Sequence, residues 1–464
     1  MSPTGVEAPP STARIEGLPP GPRAPKLLQS VVGALGALYF DERVLGLGRR
    51  QYGDLFTVRI FGFGNAVIVA DPALIKQVFA GDPETLHAGE QSPLRAVLGP
   101  NSLLAIDEEE HTRQRKLLMP PFHGERMRDY EGIIEEEALR EIESWPEGES
   151  FRTLEPMMRI TLNSILRSVF GAEGTRLATL QEVMPRMVKL GSRLVGMPFM
   201  HRDLGPRSPW GRFQRMRKQC EDEVGQLIDE TRRDPRLAER SDVLALLVQA
   251  THEDGSPMTD PEIFDQLGTL LVAGHETTAT TMAWAVERLR RHPELLRRLV
   301  DEADEGGGEL REATIREVQR TRPVIFGTGR YTMKPFELGD YVIPPGTFLM
   351  LAGITMHHDP RLFPNPRAFE PDRFLGQRPD ANAWIPFGGG RRRCIGAAFA
   401  QMEMDIVLRT MLQRLELVPT TERRERWRFR GVAYAPAKGG LAEVRRRGKV
   451  APADETQAPE AIAA

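Results

Sequence analysis

FGGGRRRCIGAAFA, residues Phe387–Ala400, is the stretch on which the reading of this chain turns. Three glycines, Gly388, Gly389 and Gly390, make a loop whose backbone can approach a flat ligand closely. Cys394 follows, just ahead of GAAFAQMEMDIVLRTMLQRL (Gly396–Leu415), which reads as the last long helix. Free N–H groups and the helix dipole at such a start stabilise a thiolate. Arg391, Arg392 and Arg393 supply positive charge for carboxylates on a ligand. An isolated cysteine is more often a core residue, and an arginine run more often a solvated face. A phosphate-loop alternative fails, because no Lys-Ser/Thr follows the glycines.

Working outward, the clearest helix is Thr259–His292, TDPEIFDQLGTLLVAGHETTATTMAWAVERLRRH. Thr259 and Glu262 spell a capping box, Pro261 suits the first turn, and Pro293 marks the end. Its length of ~32 residues spans ~48 Å at 1.5 Å per residue, enough to cross a whole domain. The middle, Leu267–Ala285, carries few charges, so the helix is expected to be buried and central. Within it lies AGHETT, Ala273–Thr278. The small pair Ala273 and Gly274 would let a planar ligand or a diatomic molecule lie against the helix. Glu276 and Thr277 place an acid beside a hydroxyl in apolar surroundings, where a buried carboxylate is costly without a task or a partner. The alternative reading has Thr277 bonding the carbonyl four residues back, and Glu276 as one half of a structural ion pair. A zinc-protease reading of His275-Glu276 fails, because the fifth position is Ala279.

Two weaker signals flank these. Glu317 and Arg320 lie three residues apart on one helix face, and Arg373 sits in FEPDRF (Phe369–Phe374). His111 and Arg115 share a face at i and i+4, and Arg330 stands in GTGRYTMKPFELGDYVIPPG. Upstream, FTVRIFGFGNAVIVA has two β-rich halves about Gly62–Asn65, which reads as a hairpin, and Asp71-Pro72 opens a helix. Its GFGNAV lacks the third glycine of a dinucleotide fingerprint.

Five positions of the cysteine stretch (Phe387, Gly390, Arg392, Cys394 and Gly396) match the F-x-x-G-x-R-x-C-x-G signature, and the chain resembles the cytochrome P-450 family. AGHETT is similar to that family's A-G-x-E/D-T-T motif, Glu317–Arg320 to its E-x-x-R, and His111–Arg115 to its H-x-x-x-R. The motifs run in order over nearly the whole chain. The resemblance implies haem b with Cys394 as axial thiolate, and propionates gripped by His111, Arg115, Arg330 and Arg392. It places Phe387 near the sulfur, and lays Ala273 and Gly274 against the distal face. Thr277 would hydrogen-bond dioxygen, and Glu276 would help deliver protons through water. The Glu317–Arg320–Arg373 cluster would hold the cysteine loop. Substrate would lie among Gln91–Leu104, Val272–Ala273, Val324–Phe326 and Val432–Tyr434.

The implied fold is mostly α (α+β): a large helical part around the central helix and a smaller β region built from early and late segments. Residues 1–25 read as a proline-rich lead-in, 26–449 as one catalytic unit and 450–464 as a disordered tail. The implied function is a monooxygenase that inserts one oxygen atom of dioxygen into a small apolar organic molecule. Its electrons would come from NAD(P)H only indirectly, through a ferredoxin-type donor and its reductase, for which Arg391–Arg393 offer a docking surface. A peroxygenase, an isomerase-like haem-thiolate enzyme and a gas-binding sensor are the rival readings; the intact Glu276-Thr277 pair disfavours the first two.

Bulk properties agree. The 464 residues are 40% hydrophobic and 27% charged, with a formal net charge of −3, which argues against nucleic acid as a partner. Two cysteines, Cys220 and Cys394, make no disulfide framework and suit a reducing cytoplasm; Cys220 reads as an ordinary free thiol. The best apolar run, Leu27–Phe40, is too short for a membrane span, and the first 25 residues lack the pattern of a secretory leader.

Overall fold

Thr259 does what its spelling requires. Its hydroxyl accepts from the Glu262 N–H while the Glu262 carboxylate accepts from the Thr259 N–H at 2.7 Å, so a capping box opens the longest helix of the protein's computed structural model. The structure describes residues 15–22, 42–60, 64–124, 126–171, 174–195, 200–431 and 433–448. Most of the proline-rich lead-in, the Leu27–Phe40 stretch, Gly62 and Phe63 of the expected hairpin, and the tail lie outside the described residues, as do the expected boundaries at residues 25 and 449.

Helices of nine or more residues are α1 (Glu42–Tyr52), α2 (Pro72–Ala80), α3 (Glu108–Leu118), α4 (Arg126–Glu143), α5 (Leu154–Ser168), α6 (Gly174–Val195), α7 (Pro209–Arg233), α8 (Asp260–Leu289), α9 (Pro293–Asp304), α10 (Glu309–Thr321) and α11 (Ala397–Arg414). The central helix α8 ends at Leu289, three residues short of the expected stop. There the Arg290 guanidinium turns to the Val418 and Leu441 carbonyls and the chain tightens into a turn. Helix α8 packs on α5, α7, α10 and α11, and Ile263, Leu267, Leu271, Met282 and Val286 are fully buried. That apolar coat, rather than helix propensity, fixes its position.

A five-stranded sheet combines β1 (Leu55–Ile60), β2 (Gly64–Val69), β3 (Leu86–His87), β4 (Thr328–Thr332) and β5 (Phe348–Leu351) in the order β1-β2-β5-β4-β3. β1 and β2 are antiparallel, with Leu55 opposite Val69, whereas β2 runs parallel to β5, with Ala66 opposite Phe348. Segments almost 300 residues apart in sequence therefore share one sheet, as the early-and-late reading of the β region requires. A hairpin of β6 (Trp427–Phe429) and β7 (Tyr434–Pro436) lies against α8. Asp71 caps α2 through the Ala73 and Leu74 N–H groups. The proline-rich PNPRAFEPDRF forms no long element, only a short turn at Pro371–Phe374.

Glu317 and Arg320 on α10 are fully buried and joined by two hydrogen bonds of 2.7 Å. The remaining donors of Arg320 go to the His357, Pro366 and Ala368 carbonyls, while Glu317 also accepts from the Glu370 N–H and from Arg373. His357 in turn accepts from the Ile385 N–H at 3.2 Å, two residues before the cysteine loop begins. Burial holds its imidazole pKa down to about 3, so a neutral acceptor is available there. The cluster thus reaches the loop through His357, at the end of the short helix Gly353–His357, and also ties down the irregular chain that follows it. Arg320→Met should cost roughly 3–5 kcal/mol, the typical penalty for stranding one half of a buried ion pair. Arg320→Lys should recover only a minor part of it, since an ammonium cannot reproduce a fork that meets a carboxylate and three carbonyls. Urea unfolding of the three proteins tests this; a lysine variant as stable as the parent would mean that charge alone holds the segment.

Candidate active site

The cysteine loop closes on itself through the Cys394 N–H, which donates to the Phe387 carbonyl at 2.9 Å. Gly390 has φ +61°, and a Cβ there would lie 2.4 Å from the Phe79 carbonyl of α2. The close approach at Gly390 is therefore made by α2 rather than by a ligand, and glycine is needed because the backbone is left-handed and crowded. Cys394 is densely surrounded by protein, yet its side chain remains accessible, so the thiol faces an interior space rather than a packed core. Burial pushes its pKa up, against the Gly396 N–H, Arg115 and Arg393, which pull it down. Cys220 differs: it is buried in α7, and burial drives its thiol up to about 12.

A basic edge lies beside the loop. His111 and Arg115 project from α3, Arg330 from β4, and Arg392 from the loop; His111, Arg330 and Arg392 border one cleft. Arg330 is 5% exposed and donates to the Gly329 carbonyl at 2.8 Å, with no carboxylate in ion-pair range among the described residues. Burial and the nearby Arg392 push its pKa down to about 10. His111 falls to about 3 through burial and the fields of Arg392 and Arg115, so it is a neutral imidazole. Arg392 is tied to Asp107 and to the Leu103 and Ile106 carbonyls. Burial raises the Asp107 carboxyl, but the Ala88, Gly89 and Glu90 N–H groups at 2.7–2.9 Å and Arg392 more than offset it. With Arg391 also at the cleft, the edge holds four arginines against the carboxylates of Asp107 and Glu108, and a ligand bearing carboxylates would balance it.

Helix α8 supplies the other side. Ala273 is exposed and Thr277 half-buried in the middle of a helix that is otherwise covered, so this face opens onto interior space. Thr277 Oγ1 donates to the Ala273 carbonyl at 2.7 Å, the back-bonding alternative raised by the sequence. Gly274 turns elsewhere: a Cβ there would lie 3.0 Å from Ile165 of α5, so it serves helix packing. His275 also points to α5, with Nδ1 3.0 Å from Thr161 Oγ1. Glu276 is buried, 3.3 Å from Arg430 Nε, and accepts from Ser192 of α6 at 3.4 Å. Burial raises its pKa, with Arg430 and Ser192 pulling the other way.

One residue before Ala273, Val272 borders an apolar pocket together with Leu94, Val97 and Leu98, within two of the expected segments. Met187 and Val188 of α6, Phe213 and Arg217 of α7, and Phe264 complete much of it; no local signal singled these out. Val324–Phe326 and Tyr434 instead bind one another: Phe326 stacks on Tyr434 at 3.6 Å between ring centroids, and the Tyr434 N–H donates to Val324. Val432 lies outside the described residues. Asp107 had a sequence signal, standing just before the acidic start of α3; Ser192 and Arg430 had none, being 84 and 154 residues from Glu276.

An accessible thiol, a basic edge short of anions, and an open helix face bearing an acid and an alcohol fit a flat macrocycle with carboxylate substituents and an axial thiolate. Comparison with known proteins agrees. Residues 43–441 match the family model described as Cytochrome P450, and the chain belongs to that family. It is 49% identical over 445 residues to cytochrome P450 138 of Mycobacterium tuberculosis, covering 96% of this chain and 99% of that one. It is 42% identical over 437 residues to cytochrome P450 135B1 of the same organism, covering 92% of each. Among solved structures, retinoic acid-bound cyanobacterial CYP120A1 superposes with a TM-score of 0.81 at 22% identity, over 93% of this chain and all 100% of that one. The heme domain of cytochrome P450DA gives 0.78 at 23% identity, over 94% and 99%. The protein is a haem-thiolate oxidoreductase of the monooxygenase type. No helix among the described residues is long and apolar enough to cross a membrane.

One further acid joins the two sides. Glu403 of α11 is 1% exposed, beside the Ser164 and Thr278 hydroxyls, with no well-formed hydrogen bond to either carboxyl oxygen among the described residues. Burial pushes its pKa up to about 8, so it is a neutral acid in the folded protein. The unfolded carboxyl ionises near 4.5, so between there and about 8 the folded state binds the extra proton. Stability should therefore fall by about 1.4 kcal/mol per pH unit across that window from this group alone. Glu403→Gln removes this dependence. Its urea midpoint relative to the parent should rise from pH 5 to pH 8 and level off above; a pH-independent difference would mean that Glu403 is ionised when folded.

Proposed function

We propose that this enzyme hydroxylates an apolar organic substrate, with Cys394 as the axial thiolate and Glu276 and Thr277 as the proton-delivering pair. The observation that carries the reading is the position of Glu276, held between Ser192, which borders the substrate pocket, and Arg430, a third of whose side chain is exposed. In this reading His111, Arg115, Arg330 and Arg392 hold the haem carboxylates. Phe387, Gly390 and Gly396 shape the loop, and Ala273 keeps the open face of α8 low, while Gly274 lets α8 pack close to α5.

When bound, haem supplies the activation of dioxygen. Substrate C–H becomes C–OH, and the second oxygen atom leaves as water with two electrons and two protons. The chain's own part is the proton. Burial shifts Glu276 toward its acid form, against the pull of Arg430 and Ser192, so the carboxyl can pass a proton inward and regain one from the Arg430 side. Thr277 spends its hydrogen on the Ala273 carbonyl and so presents lone pairs to the open face. Next to that face, apolar walls around Val272 favour an apolar substrate over water.

The exposed Arg391 and Arg393 beside the loop suit an acidic electron donor of the ferredoxin type, itself reduced from NAD(P)H by a reductase. Two free thiols suit the cytoplasm. We also read residues 26–449 as the single catalytic unit, between a lead-in and a tail.

Cys394→Ala should abolish the red-shifted Soret band of the reduced carbon monoxide complex; a variant that kept it would overturn the assignment. Thr277→Ala should keep that band but lower product formed per electron pair by roughly tenfold or more, with the balance appearing as peroxide. Coupling unchanged from the parent would remove Thr277 from the proton path.

A further inference from the structure

Among the described residues, Arg217 is the one charged side chain that borders the apolar pocket. It is held in place on three sides: Nη2 meets Asp265 at 2.6 Å, Nε meets Glu221 at 3.0 Å, and Nη1 donates to the Val97 carbonyl at 2.9 Å. Its guanidinium also lies 5.3 Å from the Phe264 ring centroid. Val97 and Phe264 are themselves pocket walls, so the cation is fixed at the pocket rather than swinging from solvent. A guanidinium has five N–H donors, and these bonds leave one each on Nη1 and Nη2 among the described residues.

The charge balance decides what those donors can take. Asp265 is 2% exposed and accepts from the Asn101 backbone and side chain besides Arg217, so it is a fixed counter-ion. Glu221 adds a second carboxylate. Two carboxylates already face one guanidinium, and a third on a ligand would enter a low-dielectric pocket with no cation to spare. An uncharged acceptor meets no such repulsion and satisfies donors that a pure hydrocarbon would leave buried and unbonded.

Position completes the picture. Asp265 precedes Thr277 by twelve residues on the same helix, about 18 Å along its axis. Gly268 and Val272 line the pocket between the two levels. We infer that the substrate is an elongated apolar molecule with one uncharged oxygen function (hydroxyl, carbonyl or ester) held by Arg217, and that it is oxidised toward its far, apolar end. This rests on the proposed haem-thiolate site and specifies its substrate class.

The test uses the haem-loaded enzyme and spectral titration with dodecane, dodecanol and dodecanoate. Dodecanol should bind roughly tenfold tighter than dodecane and also tighter than dodecanoate. Arg217→Met should remove the advantage of the alcohol over the alkane. Because that change strands Asp265, Glu221→Gln serves as a second, surface-side variant; it should narrow the deficit of dodecanoate against dodecanol. Dodecanoate as the tightest ligand of the parent, or an alcohol-to-alkane ratio equal in parent and Arg217→Met, would overturn the inference. The carbon monoxide spectrum of the same samples separates the two levels. A thiolate band without head-group preference sinks this inference alone, and absence of the band sinks the reading beneath it.

Discussion

The buried pair Glu317–Arg320 is the constraint on which the rest of the site depends. Two opposite charges with no exposure are tolerable only if every remaining donor and acceptor is met. Here they are met by carbonyls and an N–H from residues 357–370, a segment that has no helix or sheet beyond the short helix ending at His357. The cost of burying the pair is offset by fixing that irregular chain in one path. Through His357 and Ile385 the same path sets where the cysteine loop starts. Specificity of backbone course, more than net stability, is what such a pair contributes.

Once the loop is placed, the two sides of the site follow from different physics. The cysteine side is built of irregular backbone pinned by charge: Asp107 gathers three N–H groups and Arg392, and Gly390 lets α2 press against the turn. The α8 side is built by burial along most of its thirty residues, with Val272–Gly274 and Thr277 left partly open in the middle. Glu403 stands between α11, which follows the cysteine, and Thr278 of α8. A neutral acid there gives polarity to the join without the price of a buried charge.

Much of this was legible before any fold was known. The capping box, Pro261 and the low charge of its middle marked α8, and the order of four motifs marked the family. Thr277 illustrates how readings can coexist: its bond to Ala273 is the plain local one, yet it still leaves the oxygen facing the open side. Glu276 does form an ion pair, as the bland alternative held, and that ion pair is what links it to the surface. Gly274 and Gly390, assigned to ligand approach, are spent at least partly on packing against Ile165 and Phe79. Crowding from a remote helix leaves no mark on the local sequence.

What the sequence determined by itself was therefore local and chemical: which segment is a central helix, where it is capped, and which side chains can be a thiolate, an acid, an alcohol or a cation. These depend on residues a few positions apart, within reach of one turn or one loop. Only the tertiary structure decided which groups meet: Arg430 and Ser192 at Glu276, Asp107 at Arg392, and Arg217 with its two carboxylates at the pocket. Most of those contacts span tens to hundreds of residues, and protonation follows from them. Desolvation and neighbouring charge, which make His111 neutral and Glu403 an acid, exist only after the chain has closed around them.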